Sequence, residues 1–263
     1  QNKDMVQFYI DHIRANGMSP SISFAVNDEH QLYFVNRDPK TWPRYAAASV
    51  SKFFYDNPQY RHNPPHSSTW LGGQVWASPA GVNQPVIDYK LHQIWDLTRF
   101  YDFDLLELDF MRSSYLWDGS VPMKTKNEVT SSFISQSIKF LDENTAPGKK
   151  RYLGIRINVY NEINDYIGVP LEDLEKLGVD YVILTSNSFE TQDSDIEKIR
   201  AKISENIPIF FETVQVSSVV GKVGNTFIMK KSNQEQIYTT AAISYAKGAS
   251  GAYALNWEYY WAS

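Results

Sequence analysis

The chain is 263 residues long, 43% apolar and 21% charged, which excludes a disordered or fibrous chain and supplies enough apolar side chains for a sizeable core. Twenty-five basic against thirty acidic residues leave a formal charge of −5, so the concentrated basic surface that a phosphate backbone requires is missing and nucleic acid is not an expected partner. There is no cysteine, which removes disulfides, thiolate metal sites and cysteine nucleophiles, and no apolar run reaches the ~18–20 residues of a membrane span.

The chain opens on Gln1 with no signal-like segment and reads as a processed chain or a fragment. Val6, Tyr9, Ile10 and Ile13 recur at helical spacing, so a helix is predicted over 4–16, stopping at Gly17. Residues 21–27 alternate as a strand. The stretch 29–85 holds seven prolines and three tryptophans, with a short helix expected around 46–54, and a connection of that length is usually functional. Beyond it the pattern is regular. A helix at 86–100 precedes a strand at 105–110, and a helix at 126–142 precedes a strand at 152–159. A short helix opening at Pro170 leads to a strand at 181–185, and a helix at 195–205 leads to a strand at 208–214. Ser232 and Glu235 suggest a capping box for a helix at 233–247, followed by a strand at 252–257.

Alternating strands and helices with short returns imply right-handed crossovers and a parallel sheet. No glycine-rich phosphate turn follows any strand, which counts against the nucleotide-binding folds. Polar residues on the inward parity of several strands favour a barrel, whose upper layers can hold them around a site. The expected fold is therefore α/β, a single (β/α)8 TIM-barrel domain over 1–263; with six strands counted, the first two would lie ahead of Gln1.

Period-two alternation in Leu105–Phe110 sends Leu106, Leu108 and Phe110 to one face and Glu107 and Asp109 to the other. Asp109 should stand at the C-terminal rim and Glu107 one layer deeper, where Arg156 of the 152–159 strand offers a structural ion pair. Asn158 shares the parity of Arg156. Glu212 lies near the C-terminal end of its own strand, and Asn256 and Glu258 stand above small residues on the last one. Two rim carboxylates are the minimum equipment for glycoside hydrolysis, one protonated to assist the leaving oxygen and one ionised as nucleophile or base. Asp109 and Glu212 are the expected pair, with the alternative that Glu212 is consumed in a rim salt bridge. His30, after Asn27 and Asp28, is a proton carrier or a satisfied loop histidine. His62 and His66 have metal-like spacing, but the prolines between them forbid the helix that would align both rings, so no metal is expected. Trp42, Trp70, Trp76, Trp117 and Trp257 all fall in presumed rim loops, where flat rings suit sugar faces.

The run Tyr101-Asp-Phe-Asp-Leu-Leu-Glu-Leu-Asp-Phe-Met-Arg112 resembles the Y-D-x-D-G-x-E-L-D-F-x-R segment of glycoside-hydrolase-like TIM barrels of bacterial polysaccharide-degradation systems. Asn27-Asp28-x-His30 is similar to their N-D-x-H turn, and Gly248–Asn256 to their closing G-A-D-G-x-x-x-F-N strand. The likeness runs from about residue 18 to 260. Leu105 replaces their usual Gly, Ser250 their usual Asp, and Ala25 stands where Arg is frequent. The resemblance implies a (β/α)8 fold, carbohydrate chemistry at the strand ends, and a site lined by Asp109, Arg112, Asn27, Asp28 and His30. It also implies a secreted, periplasmic or cell-surface location. The combined expectation is a glycosidase without a redox or nucleotide cofactor, with Glu107, Arg156, Asn158, Asn256, Trp257 and Glu258 as further substrate contacts; the competing reading is a catalytically silent carbohydrate-binding barrel. An enzyme of small phosphorylated metabolites is disfavoured by the missing glycine-rich loop.

Overall fold

In a computed structural model the described residues are 4–27, 29–30, 38–43, 50–61, 71–111, 115–185, 194–213, 216–223 and 226–254. They fall into two compact units, residues 1–152 with 166–169, and residues 153–165 with 170–263. The class is mixed α/β: the strands of the main sheet run parallel to their partners within each unit, with helices between them, beside short antiparallel pairs.

In the first unit, α1 (Met5–Ala15) begins where the Asp4 carboxylate accepts the amides of Val6 at 2.9 Å and Gln7 at 3.2 Å, and ends just before Gly17. Strand β1 (Ser21–Ala25) pairs in parallel with β2 (Leu105–Asp109), in a register that sets Ser23 against Glu107 and Ala25 against Asp109. Between them runs α2 (Gln84–Phe100), which has Pro85 in its first turn, where a missing amide costs nothing. It buries Val86, Ile87, Leu91 and Ile94, and packs on α3 (Met123–Glu143), which buries Phe133, Ile134 and Leu141. Leu106, Leu108 and Phe110 are fully buried, as the alternation of β2 predicts. Of the expected helix at 46–54, residues 46–49 lie outside the described residues; a helix is present at Lys52–Asp56, where the Ser51 hydroxyl accepts the Phe54 amide at 3.1 Å.

Beneath β2 a charge network ties the unit together. Arg14 reaches Asp102 at 3.0 Å and Asp104 at 2.6 Å, and Lys149 meets Asp102 at 3.0 Å. The hydrogen bond from Lys149, against the opposing effect of burial, holds the Asp102 carboxyl below its ordinary 3.8, helped by the charges of Arg14 and Arg151. A carboxyl with a lowered folded pKa stabilises the fold above its unfolded value and loses that contribution as pH falls through the folded one. Asp102→Asn is therefore expected to lower stability at pH 7 and to flatten the acid loss below 3.8; urea unfolding of both proteins at pH 7 and pH 3 checks it. Because Asp102 is 49% exposed, the difference should stay below about 1 kcal/mol.

In the second unit the strand order is β3 (Tyr152–Asn158), β4 (Tyr181–Thr185), β5 (Ile209–Thr213), β6 (Gly251–Ala254), all parallel. Both parities of β3 and β4 are buried except at Tyr152, as in a parallel sheet covered on two faces. One face carries Leu153, Ile155, Ile157, Val182, Leu184, Ile209 and Phe211 against the helices. The other is layered. Its lower layer sets Gly154 opposite Tyr181, whose ring packs edge-on to Phe210 with centroids 6.0 Å apart. A Cβ at Gly154 would come within 2.1 Å of that ring, so only glycine fits beneath it.

The connections are α4 (Asn161–Ile167), a 3₁₀ turn and short helix over Leu171–Leu177, α5 (Ile196–Arg200) and α6 (Gln234–Ala246). The capping box of α6 is shifted by one residue from expectation, to Asn233 and Gln236, with bonds of 2.7 and 2.9 Å. Helix α4 and an antiparallel hairpin, Val216–Val223 with Thr226–Lys231, are additions to the predicted elements. Six of the expected strands are present among the described residues; the complete (β/α)8 barrel is not. Among the described residues no helix is long and apolar enough to cross a membrane.

Candidate functional site

The C-terminal ends of β1 and β2 form the first cluster. Asp109 is the last residue of β2 and 7% exposed; its Oδ1 accepts the Met111 amide at 2.8 Å, which fixes the carboxylate at the strand end. Its own carbonyl accepts the Val26 amide at 3.1 Å. The next residue, Asn27, is fully buried and works as a clamp: Oδ1 accepts the Gln74 amide at 2.9 Å and Nδ2 donates to the Tyr115 carbonyl at 3.0 Å. The segment carrying Gln74 comes so near that a Cβ on Gly73 would lie 2.3 Å from Asn27 Nδ2, which explains the glycine. One layer down, Glu107 accepts the Ser23 hydroxyl at 2.8 Å.

The second unit carries its own polar layer. Arg156 of β3 reaches across β4 to Glu212 of β5, donating from Nε to Oε2 at 2.7 Å and from Nη2 to Oε1 at 2.9 Å. On the way it meets Thr185, whose Oγ1 accepts from Nη2 at 3.2 Å and donates to Glu212 Oε1. Arg156 and Glu212 are both buried, at 2% and 3% exposure, so the pair sits in a low dielectric with its charges matched in fork geometry. Within this unit the bidentate partner of Arg156 is Glu212. Asn158 serves its own loop: Oδ1 accepts the Tyr160 amide at 2.9 Å, and Asn164 brackets its backbone.

Two of the five tryptophans expected at the rim are core residues. Trp76 is fully buried against Phe133, centroids 4.8 Å apart, and Trp117 is buried beside it. Trp42 is half-buried against Tyr55. The part of the 29–85 segment around Trp76 therefore packs into the core instead of lining a cleft.

The backbone of His30 pairs with Leu71 in a short antiparallel ladder. Asp28, Arg112, Asn256, Trp257 and Glu258, with Trp70, His62 and His66, lie outside the described residues. Among the described residues no three metal-ligating side chains gather.

No family model matches the chain, and no curated protein does. Among solved structures it is similar to a glycoside hydrolase family 18 N-acetylglucosaminidase from Paenibacillus barengoltzii, at 13% identity and a TM-score of 0.38, covering 51% of this chain and 46% of that one. It is also similar to a GH36 α-galactosidase from Geobacillus stearothermophilus in complex with raffinose, at 11% identity and a TM-score of 0.48, covering 96% and 30%. A chitinase from Rhizomucor miehei gives 12% identity and a TM-score of 0.48 over 97% of this chain and 81% of that one.

Proposed function

We propose that the chain is a carbohydrate-active protein of glycosidase type, with Asp109 as a catalytic carboxylate and an oligosaccharide or polysaccharide as substrate. The observation that carries this reading is the setting of Asp109, a carboxylate at the C-terminal end of a buried parallel strand, its rotamer fixed by the Met111 amide. That is where α/β strands present reacting groups, and a held carboxylate there can act as acid, base or nucleophile toward a glycosidic bond. The resemblance of the Tyr101–Arg112 run supports the same chemistry. No redox or nucleotide cofactor takes part, and a polymeric substrate places the protein outside the cytoplasm, secreted, periplasmic or on the cell surface.

One observation favours the second reading, a carbohydrate-binding barrel without turnover. Glu212, the other expected catalytic carboxylate, has both oxygens engaged by Arg156 and Thr185. Reducing-sugar release from a panel of plant and algal polysaccharides separates the two readings. Hydrolysis of a panel member that Asp109→Asn loses supports the glycosidase, whereas retention on a polysaccharide without release supports the binder.

A further inference from the structure

We infer that Tyr115 and Tyr166 form an aromatic platform that stacks against a pyranose ring of the carbohydrate, a subsite of the site proposed above and resting on that reading. The sequence draws attention to tryptophans, yet Trp76 and Trp117 are 0% and 3% exposed, while Tyr115 is 50% and Tyr166 is 43% exposed. Both tyrosines follow strands: Tyr115 lies in the connection from β2 to α3, and Tyr166 near the end of α4, directly after β3. Three side chains fix the segments that bear them. Asn27, next to the residue that bonds the Asp109 carbonyl, donates to the Tyr115 carbonyl at 3.0 Å. The Trp117 indole, two residues on, donates to the Ile167 carbonyl at 3.0 Å and so ties the Tyr115 segment to the Tyr166 segment. Lys126, in the first turns of α3, donates to the Tyr166 carbonyl at 3.0 Å and stands 4.5 Å from the centre of the Tyr166 ring.

These contacts satisfy carbonyls in the last turn of α4 that have no partner within the helix, with the lysine charge at the favourable end of the helix dipole. The Lys126 ammonium also lies over the Tyr166 ring, a cation–π contact that restrains it. The ionisation of the Tyr166 phenol is raised, first by burial and then by Tyr115. A pair of rings held by buried anchors, half open to water, is a preorganised apolar surface with hydroxyls at its margin. A pyranose matches it, presenting an apolar C–H face with hydroxyls around its rim, and the cost of ordering two-torsion side chains is low.

The platform is tested by binding of the same polysaccharide panel to wild type, Tyr115→Ala, Tyr166→Ala and the two Phe variants. Each Ala change should weaken binding about tenfold, while each Phe change, which keeps the ring, should hold affinity within about twofold. Hydroxyl-radical footprinting of wild type gives a measurement that needs no variant: the bound polysaccharide should protect both tyrosines. Weakened binding in the Ala variants without sugar release by wild type supports the platform and overturns hydrolysis. Asp109-dependent release with unchanged affinity in both Ala variants and no protection overturns the platform and leaves the glycosidase standing. Failure of wild type to bind any panel member overturns the platform together with the carbohydrate reading.

Discussion

Asp109→Asn is expected to lower turnover roughly 10²–10⁴-fold on whichever polysaccharide wild type cleaves, and by more if the carboxylate is the nucleophile. The substitution isolates chemistry from structure. Asn keeps an Oδ1 that can accept the Met111 amide now bound at 2.8 Å, so the strand end should hold its shape and the thermal midpoint should move little. What is lost is the ability to ionise or to deliver a proton. Substrate affinity should therefore persist while kcat falls, the signature of an interaction made only in the transition state. Full activity in a well-folded Asp109→Asn protein would remove this residue from the mechanism. Loss of stability without a specific loss of kcat would make it a loop anchor.

Much of the fold can be read from apolar spacing. Leu106, Leu108 and Phe110 alternate with Glu107 and Asp109, and the structure buries the first three completely, as the pleat requires. All six predicted strands are present, with ends displaced by at most a few residues. Helix α4 escaped because Asn161-Glu-Ile-Asn-Asp-Tyr-Ile167 has only two aliphatic positions, too few to show a period. The hairpin did leave a signal: Gly224-Asn225 between two β-rich runs is a two-residue turn pair. At the site, parity told which side chains share a face but not their partners. The register sets Arg156 beside Ile183 and Ile183 beside Phe210, so an arginine reaching across β4 arrives at Glu212, two residues above Phe210. Reach across a neighbouring strand depends on stagger, which a single sequence does not display. Aromatic exposure was equally hidden. Whether a loop ring faces water or the core depends on where the chain turns back, and here Trp76 and Trp117 are buried while Tyr115 and Tyr166 are exposed.

The largest stability effect is expected at that arginine. Arg156→Met should destabilise the protein by about 3–5 kcal/mol, because it strands the Glu212 carboxylate in the interior with only Thr185 as a partner. Glu212→Gln should cost a comparable amount, because it removes the bidentate carboxylate that matches the buried guanidinium, and its activity is to be measured on the folded fraction at low temperature. The double change Arg156→Met with Glu212→Leu removes both charges together and should recover most of the loss. Its midpoint in urea should thus exceed that of either single variant, giving a coupling energy of several kcal/mol in the double-mutant cycle. Simple additivity of the two single losses would mean that the fork contributes nothing beyond the packing of its separate side chains. The cycle also bears on function. If the double variant folds stably and still releases sugar, Glu212 is a structural anion that holds β3, β4 and β5 in register. If it folds stably and only turnover disappears, the ion pair presents the second carboxylate of the reaction.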